Sequence, residues 1–144
     1  QGLIIRLVTR RITVTELDEE QICLIYSMIS EMTKKALNSL KHSKKTEELE
    51  AQLSTPGLLG EVHPAEAMCE LVENEYIKRL LRNACDSYIR FALSTGRYAE
   101  EIKAEKDKMT EFLKSKELKK VETSLDAYFK LLAKAVNKER GMNE

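Results

Sequence analysis

PAEAMCELVENEYIKRLLRNACDSYIRFALSTG, residues 64–96, is the stretch whose reading decides the fold. Leu71, Ile77, Leu80, Leu81, Ala84, Tyr88, Phe91 and Ala92 recur along it at helical spacing and make one broad apolar band. Glu75, Arg79, Arg82, Asp86 and Arg90 run along another side, with opposite charges four apart at 75/79, 82/86 and 86/90. Each such pair adds only about 0.2–0.5 kcal/mol, so the charges serve solubility more than folding. Pro64, with fixed φ and no amide hydrogen, suits a first helical position, and Gly96 suits a left-handed C-cap. The pattern predicts a single uninterrupted helix of about 46 Å, at about 1.5 Å per residue. That is longer than a compact domain of this size needs. It reads as a spine with two sides: Leu80, Ala84, Tyr88 and Phe91 hold a bundle, while Arg79, Arg82, Asp86 and Arg90 are candidate contacts for a partner chain.

Outward from the spine, further helices are signalled on both sides. Asp18 can cap free amides, Gln21 stands three residues on, and Glu19 and Glu20 occupy the positive end of a helix dipole. Ile22, Ile25, Ile29, Met32, Ala36, Leu37 and Leu40 then form one apolar stripe over about six turns. Residues 41–53 are polar and continue as frayed helix or a second short one, until Ser54-Thr55-Pro56-Gly57 breaks them; 56–63 reads as a loop. Beyond Gly96, residues 97–114 make a helix with Tyr98, Ile102, Met109, Phe112 and Leu113 inward. Residues 118–140 make another, with Val121, Leu125, Tyr128, Phe129, Leu132 and Val136 on one face and Gly141 as its stop. Short connections between long helices force neighbours to run antiparallel. Residues 3–15, Leu-Ile-Ile-Arg-Leu-Val-Thr-Arg-Arg-Ile-Thr-Val-Thr, are β-branched and favour a strand. The expected architecture is all-α, a bundle of four to five helices with one long central helix over 17–144, preceded by a strand-like segment over 1–16.

Composition narrows the class. The chain has 144 residues, 42% apolar and 33% charged, with five Gly, two Pro and no Trp, a mixture typical of helical proteins with a real core. Lys plus Arg equals Asp plus Glu at 24 each, so no global field draws in nucleic acid or an anionic membrane. No apolar run is long enough to span a bilayer and no signal-peptide pattern opens the chain, which places it inside the cell by expectation. Cys23, Cys69 and Cys85 are an odd number without close spacing, against a disulfide framework. On a continuous spine Cys69 and Cys85 would stand about 24 Å apart and could neither bond nor share a metal. All three read as small buried hydrophobes.

Chemistry-bearing motifs are absent: there is no glycine-rich phosphate loop, Cys-x-x-Cys, His-Glu-x-x-His or G-x-S-x-G. His42 sits among lysines at a solvated helix end, and His63 precedes Pro64 in a loop or cap; two isolated histidines do not make a metal site. Glu73 with Glu75, and Glu100 with Glu101, read as surface acids, because neighbours on different faces rarely share the cleft that acid–base work needs. No catalytic residue, metal or cofactor is expected. The aromatic residues fall mostly on apolar stripes and read as core first, interface second. Lys114, Lys116, Lys119 and Lys120 cluster at a helix junction and are the candidate phosphate contacts. Glu111, Glu117 and Glu122 lie among them and no aromatics are interleaved for stacking, so a solvated or protein-contacting face is the stronger reading.

The order of parts resembles the helical domain of GINS subunits. The likeness runs over roughly residues 18 to 138. It rests on the capped start Leu17-Asp18-Glu19-Glu20, on Glu73-Asn74-Glu75-Tyr76-Ile77-Lys78-Arg79-Leu80-Leu81-Arg82-Asn83 leading into Tyr88-Ile89-Arg90, and on the closing Leu125-Asp126-Ala127-Tyr128-Phe129-Lys130-Leu131-Leu132. The resemblance implies a non-enzymatic subunit of a tetrameric DNA-replication factor that bridges the MCM replicative helicase and its partners, with the spine lining subunit contacts. Family members usually carry a small β-rich second domain, of which only residues 3–15 could represent a part here. Two rivals stand beside this reading. One is a helical accessory subunit of another nucleic-acid machine, such as a primase, using the lysine cluster on phosphate. The other is a small helical enzyme whose site forms at an oligomer interface.

Overall fold

The computed structural model describes residues 17–54 and 64–142. The strand-like 3–15, the loop 56–63 and His63 lie outside the described residues. Within them the chain is all-α, with six helices and no strand. These are α1 (Glu19–His42), α2 (Thr46–Ser54), α3 (Pro64–Leu71), α4 (75–94), α5 (Ala99–Lys114) and α6 (Leu118–Met142). In α4, α-helical Glu75–Ala84 and Arg90–Ser94 flank a π turn at Cys85–Ile89. Among the described residues no helix is long and apolar enough to cross a membrane.

The single spine is corrected to a helical hairpin. Val72, Glu73 and Asn74 leave the helix, and Asn74 turns extended at φ −71°, ψ 116°. Its Oδ1 accepts from the backbone N–H of Tyr76 at 2.9 Å and Ile77 at 3.1 Å, satisfying two orphan donors of a new helix start. Lys45 Nζ closes the other side of the break, donating to the Leu71 carbonyl at 3.4 Å and pairing with Glu73 at 3.1 Å. Burial supplies the reason for folding back. Six of the eight residues of α3 are buried, so this segment belongs inside the core rather than at the end of a projecting rod.

The hairpin also changes which spine residues face inward. The Arg90 N–H bonds the Cys85 carbonyl five residues back, and this wider turn shifts the helical phase. Leu81 and Ala84 are buried before it, Cys85, Tyr88 and Ile89 within it, and Ala92 after it. Leu80, expected in the core, is 40% exposed; Phe91 is half-buried. Tyr76 is 71% exposed, against the expectation that the aromatics sit on core stripes.

Helix α6 is the packing centre, lying against α5, α1 and residues 90–94. It buries Val121, Leu125, Tyr128, Phe129, Leu132 and Val136, the face expected from spacing. On one side of α6 the contacts run from α5 through α2 and α3 to α1, with α4 packed on α3 and α1. Tyr26 of α1 donates from its hydroxyl to the Tyr88 carbonyl at 2.7 Å, and the two rings meet edge-on with centroids 6.2 Å apart.

The helix ends follow their local chemistry. Asp18 and Gln21 form a reciprocal capping box at 2.8 and 2.9 Å. Gly96 adopts φ 71°, the left-handed cap expected of it. Between α1 and α2, Lys44 takes φ 61° while the Lys45 N–H reaches back to the Leu40 carbonyl at 2.9 Å, so residues 46–54 become a separate helix. Gly141 does not stop α6, which continues to Met142; a helical glycine costs only about 1 kcal/mol relative to alanine. We expect Leu125→Ala, at a fully buried position, to lose about 2–5 kcal/mol in urea denaturation. Leu80→Ala should stay within about 1 kcal/mol, an outcome that separates the hairpin from a spine with Leu80 in its core.

Candidate functional site

The side of α6 away from α2 and α3 is open. Helices α1 and α5 each pack on α6 without packing closely on each other, and between them lies a groove of about 990 Å³. Tyr26, Ala104, Ala127, Phe129 and Leu131 give it apolar surface. Small residues along α1, Ser27 and Ser30, keep its wall low. Glu31, Glu101, Glu105 and Asp126 contribute carboxylates, and Lys130 and Lys134 contribute ammonium groups.

One ion-pair network stands in this groove. Asp126 accepts from the Ser30 hydroxyl at 2.7 Å and from Lys34 Nζ at 3.1 Å, and Lys34 also pairs with Glu31 at 3.0 Å. Burial pushes the Asp126 carboxyl up, but the Ser30 and Lys34 hydrogen bonds and the charges of Lys34 and Lys130 outweigh it, and its pKa is lowered. The Glu31 hydrogen bond, opposed by burial and aided by Asp126, raises Lys34. Both groups are thereby moved away from neutral pH, which suits a fixed clasp between α1 and α6 and not a proton-transfer pair.

Cys23 stands at one end of the groove and is exposed, contrary to the expectation of a buried thiol. Its Sγ accepts from Asn137 Nδ2 at 3.7 Å, while Asn137 Oδ1 is buried and accepts no hydrogen bond among the described residues. Cys69 and Cys85 are free and buried, as expected, but the continuous helix on which they would stand about 24 Å apart is broken between them. The hairpin brings them close enough for charge on one to be felt by the other. Burial, and after it Cys69, push the Cys85 thiol up to about 12. Burial likewise raises Cys69, whose Sγ lies 3.4 Å from the Lys78 carbonyl oxygen. Both thiols are held in the protonated, unreactive form.

The residues singled out on the spine are exposed, and two of them brace the hairpin. Arg82 lies 4.0 Å from Glu70, and Arg90 lies 3.5 Å from Glu66 and 3.7 Å from Asp86, so charges read as an i,i+4 ladder reach across to α3. Arg79 is exposed on the same helix. At the α5–α6 junction Lys114, Lys116, Lys119 and Lys120 are exposed together, with acids among them. Lys114 pairs with Glu111 at 3.6 Å; Lys120 pairs with Glu117 at 2.9 Å and lies over the Phe112 ring at 5.6 Å. His42 is exposed in the last turn of α1. Among the described residues no three His, Cys, Asp or Glu side chains are placed to hold a metal ion.

Two apolar pairs were not legible as surface. Leu24 and Met28, one turn apart on α1, are 60% and 62% exposed, and Tyr76 and Leu80 repeat the arrangement on α4. Position 24 falls off the α1 stripe, which was the available signal; position 80 gave none, because a continuous helix places it inside. No protein-family model matches the chain, and no curated protein and no solved structure matches it.

The clasp at Asp126 has a pH signature. A lowered carboxyl pKa contributes stability that is complete above the unfolded value near 3.8 and is lost as pH falls through the folded value. Urea denaturation from about pH 6 to about pH 2 should therefore show a shallower acid-side decline for Asp126→Asn than for the parent chain, the two converging at the acid end. The effect is modest, since the carboxylate is 44% exposed.

Proposed function

We propose that this chain is a non-enzymatic helical scaffolding subunit of a multiprotein complex, resembling the GINS replication factor that bridges the replicative helicase and its partners. The observation that carries the reading is the exposure of Leu24 and Met28 side by side on α1. Fully burying such a side chain is worth about 1.5–3 kcal/mol, and a partner chain gains it by covering them. Tyr76 and Leu80 offer a second patch of the same kind, with Arg79, Arg82, Asp86 and Arg90 on the same helix as polar company. An apolar centre in a charged surround is the usual anatomy of a protein interface. The resemblance in helix order adds the replication context, and a subunit inside the cell, in a hetero- or homo-oligomer, is the setting it implies.

The phosphate-contacting alternative is weaker, because Glu111 and Glu117 already engage Lys114 and Lys120. The experiment is capture from native extract with the full chain as bait, beside a Leu24→Asp/Met28→Asp variant of matched helicity. The scaffold reading expects replication proteins, the helicase among them, to co-purify with the parent chain, and capture to fall at least tenfold in the variant, the equivalent of about 1.4 kcal/mol. A bait that retains no such proteins, or a variant that captures them equally, overturns it. Tight DNA binding with a log–log salt slope of several units would favour the lysine cluster instead.

A further inference from the structure

We propose that the outward face of α1 pairs with the same face of a second copy of this chain, the two helices running antiparallel about Met28. The inference deepens the scaffolding reading by giving the Leu24–Met28 surface one occupant. Placement is the first argument. At 3.6 residues per turn, Glu20, Leu24, Met28 and Lys35 fall within about 80° of arc on α1. That arc lies opposite the buried Tyr26, Thr33 and Leu37. All four side chains are exposed, and among the described residues neither Glu20 nor Lys35 is in an ion pair. Their charged neighbours Glu31 and Lys34 are committed, Lys34 to Glu31 at 3.0 Å and to Asp126 of α6 at 3.1 Å.

Self-complementarity is the second argument and selects the occupant. A two-fold contact sets one surface against itself, so groups on either side of the axis must attract each other. At about 1.5 Å per residue, Glu20 stands about 12 Å before Met28 and Lys35 about 10.5 Å after it. Turning a copy end for end about Met28 therefore lays each Glu20 against the Lys35 of the other copy. Each Leu24 then meets the other copy's Met32, which is half-buried at the edge of the same face. A parallel copy in register would oppose Glu20 to Glu20 and Lys35 to Lys35. The antiparallel arrangement also opposes the two helix dipoles. A partner of unrelated sequence needs no such symmetry of charge about one residue.

Net charge agrees. Lys plus Arg equals Asp plus Glu at 24 each, so two copies approach without mutual repulsion. A single helix pair is at the small end of protein interfaces, which calls for micromolar rather than nanomolar chain.

The test is sedimentation equilibrium of the full chain across the micromolar range. We compare the parent, Glu20→Lys, Lys35→Glu and the double variant Glu20→Lys/Lys35→Glu. Asp107→Lys, at an exposed position of α5, controls for the change in net charge. Pairing predicts a parent dimer whose Kd rises at least tenfold in each single variant, because like charges then meet twice per dimer. The double variant should return to within about threefold of the parent, since the swap restores both pairs. Its recovery also shows that neither substitution unfolds α1. Asp107→Lys should leave the Kd unchanged. A parent that stays monomeric overturns the proposal, as do single variants that dimerise as tightly as the parent. A double variant no better than the singles overturns it too, and equal weakening by Asp107→Lys would assign the effect to bulk charge. The scaffolding reading is judged apart: a monomeric parent that still captures replication proteins keeps that reading and sinks this one, and a dimer that captures none does the reverse.

Discussion

The apolar face of α6 is the constraint on which the rest of this bundle depends. Val121, Leu125, Tyr128, Phe129, Leu132 and Val136 must all leave water, and no single neighbouring helix is wide enough to cover them. Helices α1 and α5 therefore flank α6, and residues 90–94 reach it as well. Burial of this kind is non-directional and proportional to area, so it sets which faces meet but not which hydrogen bonds lock them. Locking falls to a few polar contacts: Tyr26 to the Tyr88 carbonyl, Asp126 to Ser30 and Lys34, and Arg97 to Glu139 at 3.0 Å.

Those contacts share a logic. Each ties α6 or α4 to a residue distant in sequence, and each uses a donor or ion that would be costly to bury alone. Ser30 and Thr33 are buried on α1 with their hydroxyls satisfied, Ser30 by Asp126 and Thr33 by the Ile29 carbonyl. The surface left over is uneven. One side of α6 is closed by α2, α3 and α4, while the other keeps a groove with acidic rims and an exposed thiol at its end. The apolar pairs on α1 and α4 lie on outward faces that no other described helix covers. The exposed apolar surface of α1 and α4 is what remains after α6 has been covered.

Much of the fold was legible because helical periodicity and capping are local. The start of α1 at Asp18, the turn at Gly96, the inward faces of α1, α5 and α6, and the solvated His42 follow from residues within one or two turns of each other. The groove was not legible in the same way. Its walls come from positions near 27, 104 and 130, and no pattern within any one helix announces that α1 and α5 will fail to meet. Cys23 illustrates the difference: it lies next to the buried Ile22 in sequence, yet points along the groove beside Asn137, 114 residues away.

The sequence by itself determined an all-α bundle over the described residues, the apolar stripes of α1, α5 and α6, and the caps that begin or end them, because each of those features depends on neighbours along the chain. Only the tertiary structure decided the fate of residues 64–96. Read locally, they satisfy a continuous helix, since Val72-Glu73-Asn74 contains neither Gly nor Pro. Read in the fold, a straight rod would leave the apolar surface of α3 in water, whereas bending at Asn74 buries six of its eight residues and lets Arg82 and Arg90 reach Glu70 and Glu66. Asn74 can cap a helix at little cost, and burial of α3 outweighs the few backbone hydrogen bonds the break gives up. That balance is set by what lies across the core, which no stretch of sequence contains.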